Sequence, residues 1–272
     1  MLTRDRHLQW VASFIAPALL SAALGLGHAA HGAEPAFSGC SDEFWGHQPP
    51  TMTVEGPLYA LCASHFATFY SSRTETPLYS AEHLTARQID DAMQMPRHDT
   101  FHDDLRLPYA VASTLEDYRG SGFDRGHMAP SGDQPDSSSQ YESFALSNMI
   151  PQNANDNRYL WADIETAARE LVLANEDEVY VITGPLFDTT GAQELQGRVE
   201  VPAYIYKAVY DPAAGIAGVF VVRNAPGKEF WRFSLADFRN RSGIDPFPGL
   251  PASIEGDASR LPDPIYRRYA KP

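Results

Sequence analysis

The stretch 122-GFDRGHMAPSGD-133 sets one histidine, His127, among glycines, a proline and charged residues, and its reading decides what fold surrounds it. Gly126 frees the backbone just before the imidazole, as a turn requires. An imidazole with an ordinary pKa of about 6.5 accepts a proton at neutral pH. Three roles compete for such a residue: a histidine buried for structure, a metal ligand, or a general base. His98, His102 and Asp103 have a spacing that invites a zinc reading, but no matching cysteine or histidine cluster completes four ligands. They read more simply as part of a surface loop.

The 272 residues are 43% hydrophobic and 21% charged, an ordinary globular composition. That is enough apolar mass for one large domain or two small ones. With no repeat, low-complexity tract or linker to divide the chain, residues 34–272 read as one domain. A formal net charge of −14 argues against a polybasic binder that holds nucleic acid by bulk electrostatics. It leaves room for an enzyme with a local basic cleft, or one that offsets phosphate charge with a divalent cation.

Residues 1–33 read as an export signal. Arg4 and Arg6 form a basic start, an uncharged run extends from about Leu8 to Gly27, and small residues follow as cleavage sites. A retained membrane anchor is the alternative for so long a run, weakened by Pro17, Gly25 and the small-residue exit. Cleavage implies a secreted or periplasmic protein with no lasting membrane association. In such an oxidising compartment the two cysteines, Cys40 and Cys62, are most simply one disulfide. A lipid-modified Cys40 would strand Cys62 and lies too far beyond the apolar run.

Strand signals fall near residues 65–71 and 77–84, spaced as a hairpin, and residues 86–121 show no clear period and read as irregular surface. A helix is expected from about Asn157, because Leu160, Trp161, Ile164, Ala168, Leu171 and Val172 follow the helical repeat. A strand at 179–183 is expected to end at Gly184-Pro185, with a second hairpin from 201–210 and 218–222. Ser234, before Leu235 and Asp237, reads as the cap of a short helix. Strands and helices mixed without regular alternation indicate an α+β chain.

The tetrapeptide Asp124-Arg125-Gly126-His127 resembles the signature of the DNA/RNA non-specific endonucleases, the ββα-metal or His-Me finger nucleases. The resemblance runs on through TPLYSAEHLT, LSNMIPQNANDNRYLWADIE, VYVITGPLF and VPAYIYKAVY, in family order and at compatible spacing. It implies an antiparallel sheet core whose β-hairpin and long helix form a metal finger. It assigns His127 as the base that activates water and Asn157, thirty residues on, as the single direct protein ligand of Mg²⁺, with Mn²⁺ as a substitute. Glu165 and Arg169 occupy the family's next positions, Asn148 matches a further active-site asparagine, and Arg97 matches an upstream arginine that contacts phosphate. Arg87 and Arg106 compete for the place given to Arg97. Arg125 belongs to the signature, and Asp124 serves either the site or the turn itself.

At about 100° per residue, Asn157, Glu165 and Arg169 share one flank of a helix, beside the apolar stripe. Glu165 and Arg169 alone would equally make an exposed (i, i+4) ion pair. The resemblance implies cleavage of DNA and RNA to 5'-phosphate and 3'-hydroxyl ends. Two other functions fit the same residues: an exported nucleic-acid-binding protein with weak catalysis, and a metal phosphodiesterase acting on small nucleotides.

Overall fold

The computed structural model describes residues 37–175, 178–188 and 191–264. The proposed signal at 1–33 lies outside them. In chain order the elements are β1 (Leu58–Cys62), β2 (Ala67–Ser71), β3 (Thr76–Thr85), α1 (Ala86–Gln94), α2 (Leu115–Tyr118), β4 (Phe123–His127), α3 (Ser137–Ser143) and β5 (Met149–Asn153). Then follow α4 (Ala154–Asp156), a π-helical segment (Asn157–Trp161), α5 (Ala162–Asn175), β6 (Glu178–Leu186), β7 (Glu194–Leu195) and β8 (Val199–Glu200). The chain closes with β9 (Tyr204–Asp211), β10 (Ile216–Arg223), β11 (Phe230–Phe233), α6 (Leu235–Ser242) and α7 (Ala252–Glu255). This is an α+β architecture.

Seven strands form one antiparallel sheet in the order β1-β2-β3-β6-β9-β10-β11. Its central strands β6, β9 and β10 are buried almost end to end because both faces are covered there. Alternation along β9 divides the two cores. Tyr206, Ala208 and Tyr210 point to a layer with Phe37, Phe44, Phe238 and Phe247, whereas Ile205 and Val209 point to α1 and α5. The helix stripe read from the sequence, Leu160 through Val172, lies wholly in that second core. Both expected hairpins form, as the β2–β3 and β9–β10 pairs. Cys40 and Cys62 are bonded, tying the segment before β1 to the end of β1 itself.

Three expectations need correction. Residues 86–121 contain α1, whose cap Thr85 accepts from Gln88 N at 3.3 Å and which buries Gln88, Ile89 and Ala92. The helix after β5 starts at Ala154 rather than Asn157, capped by Asn153, whose side chain accepts from Asn155 N and Asp156 N. β6 continues through Gly184 and Pro185. Its pairing with β3 stops at Thr183, so Pro185 faces β9 alone and no donor is missed. A side chain at Gly184 would press on the Leu78 carbonyl and the Tyr206 ring, so this glycine serves close approach rather than a turn.

β4 and β5 make a separate antiparallel pair, with His127 opposite Met149 and Gly126 opposite Ile150. With the helix that follows they form a ββα unit lying over the second core. Asn224, just past β10, fastens it: its Oδ1 accepts from Asn153 N at 2.7 Å and its Nδ2 donates to the Pro151 carbonyl at 2.9 Å.

Candidate active site

Gly126 sits in β4 with no positive φ, so the turn expected of it is not its role. A Cβ there would come within 2.6 Å of Gln152 Cβ on β5. The glycine lets Gln152 lie flat across the strand pair and reach back to Asp156, to which its Nε2 donates at 2.7 Å. Asp156 is buried beside this contact, and burial pushes its carboxyl up to about 7.

His127 ends β4 with 7% of its surface exposed. Phe101 and Phe144 pack on its ring, at centroid distances of 5.6 and 4.8 Å. Burial holds its pKa down at about 3, reinforced by the positive charges of Arg97 and Arg125. The imidazole is therefore neutral, and its Nε2 has no hydrogen-bond partner. Asn148 stands behind it rather than in the cleft. Fully buried, it accepts from Ala129 N and Ser80 Oγ and donates to the carbonyls of Ala129 and Ser143, all at 2.8–2.9 Å. Its own carbonyl accepts from Met128 N. Asn148 thus laces the two residues that follow His127 to β3 and α3, which makes it a positioning residue.

A cleft of about 610 Å³ is lined by His127, Arg97, Arg125, Asn157, Glu165 and Arg169, joined by Asp124. Of the three candidate upstream arginines, only Arg97 reaches it. Arg87 pairs with Asp91 on α1, and Arg106 is bound to Asp104 and the Cys62 carbonyl. Arg97 donates to Asp99 at 2.7 Å and to Ser131 Oγ at 2.9 Å. Arg169 does not form the surface pair with Glu165 that the sequence allows. It is 19% exposed and donates to Asp133 Oδ1 at 2.6 Å. Arg125 lies over the Phe101 ring at 4.1 Å.

Asp124 belongs to the site rather than to a turn. It accepts from Asn157 Nδ2 at 3.0 Å and from Arg158 Nε and Nη2 at 2.8 and 2.7 Å. Burial alone would raise its carboxyl, but the bonds from Arg158 and Asn157 outweigh burial and hold it below the usual range. The bond to Asp124 takes up one Asn157 amide hydrogen and restrains an amide that lines the cleft. Asn157 lies in the π-helical segment, so the simple arc of about 100° per residue does not apply, yet it shares the cleft with Glu165 and Arg169. Glu165 is half-buried; burial raises its carboxyl, and the charges of Arg169 and Lys207 oppose the rise.

Lys207 lies under the floor, 1% exposed, donating to Thr183 Oγ1 at 2.6 Å and facing the Trp161 ring. The donor set fits a hard cation that keeps most of its water. Among the described residues no group of three or more His, Cys, Asp or Glu gathers to hold a metal, and an ion such as Mg²⁺ needs no such cage. Asn157 would offer such an ion one amide oxygen, and Glu165 lines the same cleft.

Residues 47–253 match the DNA/RNA non-specific endonuclease family. The chain belongs to that family. It is 37% identical over 212 residues to nuclease C1 of Cunninghamella echinulata var. echinulata, covering 69% of this chain and 82% of that protein. It is 32% identical over 274 residues to the human mitochondrial nuclease EXOG, covering 89% of this chain and 73% of that protein. A crystal structure of an EndoG/EndoGI complex aligns with a TM-score of 0.58 at 26% identity, over 70% of this chain and 85% of that one. This endonuclease is accordingly a phosphodiester hydrolase. Three residues escaped the sequence reading: Arg158, which lines the cleft, and the buried Asp133 and Lys207 behind it. Asp133 closes the quoted motif and Arg158 follows Asn157, so position alone marked both. Lys207 carried no signal, because a lysine in a strand reads as solvent-facing.

Proposed function

We propose that this endonuclease is an exported, Mg²⁺-dependent enzyme that hydrolyses both DNA and RNA to 5'-phosphate and 3'-hydroxyl ends, with Mn²⁺ able to substitute. The observation that carries the reading is a neutral His127 on a cleft wall flanked by Arg97 and Arg125. A phosphodiester resists attack because its oxygens repel an anionic nucleophile and its leaving alkoxide is poor. His127 takes a proton from water as the water oxygen bonds to phosphorus, and the bond to the 3'-oxygen breaks, that oxygen leaving with a proton from solvent. The Asn157 amide oxygen would hold a divalent cation, which when bound would supply positive charge to offset charge growing on the phosphoryl and leaving oxygens. Arg97 and Arg169 hold the phosphate, and Asp124 keeps the Asn157 amide turned the right way. Glu165 orders water beside Asn157.

Nothing in this scheme uses a 2'-hydroxyl or a base edge, which supports action on both polymers with little sequence preference. Export is supported by the signal-like residues 1–33 and by the disulfide between Cys40 and Cys62. The test is digestion of DNA and of RNA by purified protein with Mg²⁺, with Mn²⁺ and with chelator, followed by end-group analysis. Both polymers are expected to be cut with either metal, neither in chelator. Undiminished cutting in chelator, or 3'-phosphate ends, would overturn the reading.

A further inference from the structure

The cleft is lined by two pairs of arginines with different partners. Arg97 and Arg169 gather at the turn Ser131–Asp133, through Ser131 Oγ and Asp133 Oδ1. Arg125 and Arg158 stand about Asp124 and Phe101. His127 lies between, two residues along β4 from Arg125. In a chain of net charge −14, four arginines on one cleft are not incidental. A cleft of about 610 Å³ has room for more than one phosphodiester.

We propose that Arg158 is a substrate-binding residue that holds the backbone phosphate next to the scissile one, so that the enzyme favours polymers over dinucleotides. Arg158 is 64% exposed on the cleft rim. Its Nε and one Nη2 hydrogen are spent on Asp124, and its remaining donors have no protein partner among the described residues. The two hydrogen bonds to Asp124 fix the plane of the guanidinium, so little freedom is lost when a phosphate meets its open edge. Asn157 Nδ2 and Arg158 Nε donate to the same Asp124 oxygen at 3.0 and 2.8 Å, which allows the two donors a separation approaching the spacing of adjacent phosphates on a chain and no more. A phosphate at Asn157 therefore brings its chain neighbour to Arg158.

This inference rests on the endonuclease reading, and its test separates the two. Arg158→Ala and Arg158→Lys are compared with the parent on a single-stranded oligonucleotide and on a dinucleoside monophosphate, which has no second phosphate. Binding of a fluorescent oligonucleotide in chelator is measured over a salt series alongside. For Arg158→Ala the expected result is a KM that rises several-fold more on the oligonucleotide than on the dinucleoside. The slope of log Kd against log salt should fall by about 0.7, one phosphate's share for a single strand, while Arg158→Lys keeps it. Equal loss of kcat on both substrates with an unchanged salt slope would make Arg158 only a brace for Asp124 and would overturn the proposal, as would no change at all. A parent enzyme that cuts neither substrate refutes the endonuclease reading, and the binding slopes still decide the role of Arg158.

Discussion

His127 owes its neutrality to packing by Phe101 and Phe144 and to the arginines beside it, with a consequence for stability. Its pKa is about 3 in the folded chain and about 6.5 unfolded. Between those values the unfolded chain binds a proton that the folded one does not. Stability therefore falls as pH drops from about 6.5 towards 3 and levels off below, a contribution of up to roughly 5 kcal/mol. Glu43 and Asp156, pushed up to about 7 by burial, act with the opposite sign in an overlapping window, so parent and variant are compared at each pH. His127→Gln should flatten the acid loss of Tm; parallel curves for parent and variant would contradict the assignment. Gly126→Ala should cost about 1–3 kcal/mol in denaturant unfolding, because its Cβ meets Gln152 across the strand pair. The role of Gly126 was not legible from sequence, since a glycine kept for closeness and one kept for a turn look alike.

The helix after β5 shows what periodicity conveys and what it misses. Six apolar residues at helical spacing, from Leu160 to Val172, announced its buried face correctly. Its start was misplaced by one turn because Asn153 and Asn157 are both plausible caps, and side-chain type cannot say which one points back along the chain. Asn153→Ala should cost about 1 kcal/mol by loss of the cap. It should also raise the Mg²⁺ concentration needed for half-maximal rate, since the uncapped turn carries Asn157; an unchanged Mg²⁺ requirement would detach the cap from the site. α1 was invisible because its buried side is only Gln88, Ile89 and Ala92, interrupted by Asp90 and Asp91. The continuation of β6 through Gly184-Pro185 was hidden because whether Pro185 has a neighbour on its N–H side is set by β3, a hundred residues earlier.

At the scale of the molecule, one sheet separates two cores, and the cleft belongs to the side of α5 while the disulfide belongs to the other. Replacing Cys40 and Cys62 by serine should therefore lower the unfolding free energy by about 3 kcal/mol, by freeing a loop with a separation of 22 residues, and leave activity intact below the melting range. Loss of activity in a still-folded variant would show that the two sides are coupled. Bulk composition pointed the right way in excluding a polybasic binder but could not display the four arginines of the cleft. They come from three separate segments of the chain, Arg158 and Arg169 sharing the helix after β5, and only the fold brings them together. Asn148 shows the same limit: the motif marked it as important, but only the structure shows it lacing the backbone beside His127 instead of facing substrate.

The most direct test of the account is single-turnover cleavage of DNA by His127→Ala beside the parent across pH, with Mg²⁺ binding measured on both proteins. The account predicts that turnover collapses by about 10²-fold or more, that Mg²⁺ binding persists because Asn157 and Asp124 are untouched, and that any acid limb in the parent disappears from the residual rate. A variant with near-normal turnover and the parent's acid limb would contradict it, since His127 would then not be the base.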